Sequence, residues 1–112
     1  MMGNQISNPK TQKQNSNPKR EFTARCYRFS ISVINLIKIL PEKRAYWTVS
    51  DQLVRSATSI GANIIEGKSA SSKKDFIRFY EIALKSANET KYWLGLMRDA
   101  LEVDKARVNI LL

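Results

Sequence analysis

The chain has 112 residues, 43% of them hydrophobic, which is enough for one modest globular domain. It carries 19 basic and 10 acidic residues, no histidine and one cysteine, Cys26. These numbers exclude an internal disulfide framework, take away the Ser-His and Cys-His dyads and the commonest metal ligand, and leave no apolar run of roughly 20 residues that could span a bilayer.

Residues 1–20 are rich in Asn, Gln, Ser, Lys and Pro, with Ile6 the one aliphatic residue beyond the methionines. Such a segment buries too little apolar surface to offset its ordering entropy, so residues 1–21 are predicted to be a disordered basic tail. The steps Asn8-Pro9 and Asn17-Pro18 argue against helix there. No apolar h-region is present, so no secretory leader is expected.

A bundle domain is predicted over 22–112. Phe22, Cys26, Phe29, Val33, Leu36 and Leu40 recur every three or four residues, as on one face of a first helix. Tyr27, Ile31, Ile34 and the Ile37 region form a second apolar stripe, wider than a surface helix needs. That helix is therefore central in the bundle, or its second stripe meets another subunit. Pro41 ends it, and a loop is expected over Pro41–Trp47.

A second helix is predicted from Thr48 or Ser50, with Thr48 and Asp51 forming a variant capping box. Leu53, Ala57, Ile60 and Ile64 make its seam. Glycine costs about 0.8–1.0 kcal/mol in a helix relative to alanine, so Gly61 implies a close approach by a neighbouring helix. Gly67 is predicted to stop this helix. After the polar linker Lys68–Ser72, Ser71 or Ser72 caps a third helix, with Asp75 favouring its first turn. Phe76, Tyr80, Ala83, Ala87, Thr90, Leu94, Met97 and Leu101 keep bundle spacing along it. A fourth helix is expected to begin near Asp99 or Asp104 and is short or cut off at Ile110-Leu111-Leu112. The fold class is thus all-α, an antiparallel up-down four-helix bundle with a truncated or short fourth helix.

Two runs carry a resemblance. One is Asp51 through Gly67 (DQLVRSATSIGANIIEG), the other Lys74 through Thr90 (KDFIRFYEIALKSANET). Together they resemble the four helix bundle protein family, that of the proteins encoded in intervening sequences of 23S ribosomal RNA, over roughly Phe22 to the end. The resemblance implies an up-down bundle with a long fourth helix, assembled into a ring that is typically a pentamer. It also implies kinship with the accessory proteins of diversity-generating retroelements, which look like positively charged barrels binding nucleic acid and a reverse transcriptase.

The charge is uneven: residues 1–40 carry seven basic side chains against Glu21 alone, and residues 41–112 carry twelve against nine. A polyanionic partner is the natural reading. Candidate phosphate-binding residues are Arg25, Arg28 and Lys38 on the first helix and Lys74, Arg78 and Lys85 on the third, where the last three fall within about 40° of one another at 100° per residue. Glu81 interrupts that stripe as a partner for Lys85. Gly61, Asn63 and Glu66 are structural or interface candidates, with Glu66 pairing a basic residue of the next helix or subunit. Tyr46-Trp47 and Tyr92-Trp93 either stack on bases or cover the ends of the core.

The function expected is that of a non-enzymatic homo-oligomer binding RNA, or DNA, through basic faces. The alternative is a protein-interaction scaffold or accessory subunit, for example for a reverse transcriptase. No cofactor, metal, membrane or small-molecule substrate is expected, and the lone thiol fits the cytoplasm.

Overall fold

The computed structural model describes residues 18–112, which form four helices and no strand: α1 (Pro18–Lys38), α2 (Arg44–Lys68), α3 (Lys73–Ala100) and the seven-residue α4 (Lys105–Leu111). The chain folds as an all-α four-helix bundle whose last helix is short. The tail predicted over 1–21 lies outside the described residues as far as residue 17. From Pro18 it is helical, four residues before the expected start at Phe22. Pro18 itself explains this, because a proline at the first helical position lacks an N–H that would have had no partner there, and its φ is already set for a helix.

α2 also begins earlier than expected, at Arg44. Thr48 forms no capping box; its hydroxyl donates to the Arg44 carbonyl at 3.1 Å, as a threonine one turn into a helix does. Pro41 restricts only its neighbours, so three residues after it suffice to restart the helix. Tyr46 and Trp47 consequently lie inside α2. Gly67 does not stop α2 either. The helix runs through it to Lys68, and the Ser69 and Ala70 N–H groups close it on the carbonyls of Glu66 and Gly67, respectively. No glycine among the described residues has a positive φ.

The later boundaries follow from side-chain caps. Ser72 accepts from the Asp75 N–H at 3.1 Å and starts α3. Asp104 accepts from the Ala106 and Arg107 N–H groups and starts α4.

α2 lies in the middle, packed along α3 and along α1. No Cα of α1 comes within 8 Å of one in α3, and α4 reaches both α1 and α3 from one end. The result is open-sided: 46 × 38 × 19 Å with a radius of gyration of 16.5 Å, where a compact domain of this length has about 13 Å. One core joins all four helices through Val33 and Leu36, Leu53 and Ala57, Leu94 and Met97, and Val108. A smaller cluster of Cys26, Ile64 and Ala83 lies further along the same faces.

Small residues let α2 and α3 approach. Ser56 and Thr90 are buried with their hydroxyls 3.0 Å apart, and Thr90 also donates to the Ser86 carbonyl. Ser86 donates to Ser59 at 2.9 Å, and Ser59 accepts from the Asn63 amide. Ser56, Ser59, Ser86 and Thr90 therefore each have a hydroxyl partner, which fixes the register of the pair. A Cβ on Gly61 would sit 3.4 Å from the Cβ of Cys26 in α1, and one on Gly67 would sit 3.3 Å from that of Phe79 in α3.

Gly95, inside α3, faces nothing within 4 Å of where its Cβ would be. Gly95→Ala therefore adds helix propensity without a clash. It is expected to raise stability by about 0.8–1.0 kcal/mol and the melting temperature by roughly 4–8 °C in a calorimetric scan.

Candidate nucleic-acid interface

All six candidate cations are exposed, on two helices that do not pack on each other. Arg25 and Arg28 stand one turn apart on α1, beside a groove of about 430 Å³ that Phe22, Phe29, Ser32 and Ile60 also line. Lys38 lies at the end of the same helix, about 15 Å along its axis from Arg28 at 1.5 Å per residue. On α3, Arg78 is engaged locally: its guanidinium is 3.8 Å from Asp75 and 4.6 Å from the Phe79 ring centroid. Arg25, Arg28, Lys38, Lys74 and Lys85 make no ion pair among the described residues, and the expected Glu81–Lys85 pair is absent. Both stripes are thus solvated positive faces, the α1 face less neutralised than the α3 face.

Lys68 and Lys73 are not among the sequence candidates, yet they bracket the serine-rich linker and line an adjoining groove with Lys19. Lys68 donates to the Thr23 hydroxyl at 3.3 Å, tying the end of α2 to α1. Their position at the two sides of a short interhelical turn was the available signal.

The structural candidates separate. Asn63 lines an apolar groove of about 420 Å³ with Ile64, Gly67, Phe76 and Tyr80. Glu66 is exposed and pairs with no basic residue of its own chain among those described, because α2 turns it away from both neighbours. Tyr46 covers one end of the core, its hydroxyl 3.2 Å from the Glu102 carbonyl and accepting from the Glu102 N–H at 3.1 Å. Trp47 is 55% exposed and Tyr92 62%, so each aromatic pair puts one ring in solvent. Trp93 is held by its indole N–H on Glu89 at 2.8 Å.

Glu89 also accepts from Arg55 of α2, and these two donors hold its carboxyl below the ordinary glutamate range. Arg98 does the same to Asp99. A carboxylate whose folded value is depressed adds stability above its unfolded value, about 4.3 for glutamate, and that contribution fades as pH falls through the folded value. Urea unfolding is therefore expected to show stability falling below about pH 4.5, with Glu89→Gln flattening part of the fall.

Burial pushes the Cys26 thiol above its usual value, against a smaller opposite pull from Arg25. No group of His, Cys, Asp and Glu among the described residues could hold a metal ion, and no helix among them is long and apolar enough to cross a membrane. The arrangement offers charge and apolar surface.

Comparison with known proteins agrees with this architecture. A crystal structure of a protein of unknown function from the S23 ribosomal protein family of Bacteroides thetaiotaomicron VPI-5482 is similar, at 36% identity and a TM-score of 0.76, covering 83% of each chain. No curated protein matches the sequence. The model of the 23S rRNA-intervening sequence proteins matches residues 19–112, all but the first residue of the described fold. By that match the chain belongs to the 23S rRNA-intervening sequence protein family.

Proposed function

We propose that this protein is a non-enzymatic, homo-oligomeric helical bundle that binds nucleic acid through its basic faces, RNA ahead of DNA, without reading sequence. The observation that carries this reading is the solvent-exposed surface of α1, where Arg25, Arg28 and Lys38 are exposed and unpaired among the described residues, in a chain of net charge +9. Arginine and lysine so placed bind phosphates by releasing counterions and fix position rather than sequence. RNA is taken ahead of DNA in this reading because the family description names ribosomal RNA.

Oligomerisation is supported by the second stripe of α1. Tyr27, Ile31 and Ile34 are 65%, 42% and 42% exposed, a row of large apolar side chains that no other helix among the described residues covers. A ring, with five copies as the resemblance implies, would repeat each basic residue and add weak contacts through effective concentration. The same stripe supports a second reading, an accessory subunit that docks a protein such as a reverse transcriptase. Co-purification of a protein after nuclease treatment would favour that one.

Fluorescence anisotropy with a labelled structured RNA at two salt concentrations is the test. Binding at low salt that weakens steeply at high salt is expected. Absence of binding at low salt, or binding indifferent to salt, refutes the proposal.

A further inference from the structure

Tyr27 is the most exposed aromatic side chain among the described residues, at 65%. At 100° per residue it lies about 120° round α1 from Val33 and about 180° from Leu36, and these two share the core with Val108 of α4. Its exposure therefore belongs to the side of α1 away from α4. Its ring stacks on no other aromatic and lies under no cation among the described residues. A helical side chain leans over the turn before it. For Tyr27 that turn holds Thr23 and Ala24, both too small to cover a ring face.

The charge around this ring is positive. Lys68 of α2 donates to the Thr23 hydroxyl at 3.3 Å, which brings its ammonium to the turn that Tyr27 overhangs. Arg28 follows next in the chain, and Lys38 comes about three turns further on, within about 20° of Tyr27 round the helix. None of the three makes an ion pair among the described residues. Glu21, the one carboxylate of α1, lies about 120° away. The neighbours of Tyr27 at i±3 and i±4 are Thr23, Ala24, Ser30 and Ile31, none of them acidic. The other exposed rings are placed differently. Trp47 has Asp51 one turn on, and Tyr92 has Glu89 one turn back and Trp93 edge-on at 5.0 Å. Phe76 and Tyr80 stack on each other at 6.0 Å, and Phe22 lines a groove with Ile64 of the core.

We propose that Tyr27 is a base-stacking platform, and that the nucleic acid held on α1 is a strand with unpaired bases. This inference rests on the reading of α1 as a phosphate-binding face and names the form of strand that the face takes. Every base has a π-face, so a free ring beside cations holds a base without reading its identity. In an A-form duplex the bases are stacked on one another and closed to such a ring, whereas the splayed bases of a loop or single strand reach it. From the Thr23–Lys68 contact to Lys38 the helix rises about 22 Å, along which a strand meets Lys68, Tyr27, Arg28 and Lys38 in turn. Ile31 and Ile34 offer no π-face and remain as the apolar row for a subunit contact.

The test is anisotropy at low salt with three fluorescein-labelled probes of about ten nucleotides: an oligouridylate, an abasic strand with the same phosphates, and an RNA duplex. Tyr27→Ala is expected to weaken the oligouridylate about tenfold while leaving the abasic strand and the duplex within about twofold of the parent and the salt slope unchanged. Tyr27→Trp should restore the oligouridylate. Tyr27→Leu keeps apolar area without a π-face, so it should bind as the alanine variant does, and it serves if alanine disturbs the fold. Equal loss on all three probes overturns the proposal. So does a smaller assembly by light scattering in Tyr27→Ala and Tyr27→Leu, which would give the ring to a subunit contact. Oligouridylate binding blind to both substitutions overturns it too, and leaves the phosphate-binding reading of α1 intact. If none of the probes binds, that reading fails and the stacking platform falls with it.

Discussion

Leu94→Ala is expected to cost about 3–5 kcal/mol of folding stability, the largest effect of any single truncation considered. Leu94 is 1% exposed and stands where all four helices meet, against Leu36 of α1, Leu53 of α2 and Val108 of α4. Removing it takes away the transfer energy of three heavy atoms and leaves a cavity that four separate helices would have to close together. A domain of this size has about 5–14 kcal/mol to lose, and its open side places it toward the low end. Chemical denaturation would then show a midpoint far below that of the parent chain, or no cooperative transition at 25 °C. Leu84→Ala is the matched control. Leu84 lies on the same helix but is 60% exposed, so its loss is expected to cost no more than about 0.5 kcal/mol. Equal effects at the two positions would mean that the core lies elsewhere.

The second large effect concerns binding. Arg25→Glu, Arg28→Glu and Lys38→Glu together are expected to weaken RNA affinity by about a hundredfold at 0.1 M salt, with little change extrapolated to 1 M. Each phosphate contact on a single strand contributes about 0.7 to the slope of log affinity on log salt, so losing three flattens it by about 2, and that difference opens fully over one decade of salt. Each reversal also adds a negative charge where a positive one stood. Because the three positions are exposed and unpaired among the described residues, folding should be unaffected, and circular dichroism checks this. Arg98→Glu serves as the contrast, since Arg98 is already engaged with Asp99 at 2.8 Å and should contribute little. An unchanged salt slope in the triple variant would remove α1 from the interface.

Some of this was written locally in the chain. The 3.6-residue spacing of Val33 and Leu36, of Leu53 and Ala57, and of Leu94 and Met97 specified three helices and the faces they bury, because periodicity alone decides which side chains share a face. Ser71 or Ser72, and Asp99 or Asp104, marked helix starts because a cap is a contact across only two or three residues, and the structure selects Ser72 and Asp104. Net charge was equally legible, and with it the expectation of a polyanion. Other boundaries were less so. Pro18 and Pro41 signal interruption by type, yet a proline at the first turn of a helix begins one, and only the neighbouring helix decides whether that turn is worth forming.

What the tertiary structure alone decided is which apolar positions are covered. Phe22, Phe76 and Tyr80 read as core by spacing and stand half exposed, because burial depends on whether a fourth element lies over them and α4 reaches only one end. Gly67 read as a stop and proved a point of close packing, since a Cβ there would sit 3.3 Å from that of Phe79 on the next helix. Lys68, Lys73, Arg25 and Arg28 were scattered in sequence and came to line adjoining grooves without a carboxylate among the described residues. Local order follows from neighbours along the chain, and a site follows from which helices lie side by side, which no local pattern encodes.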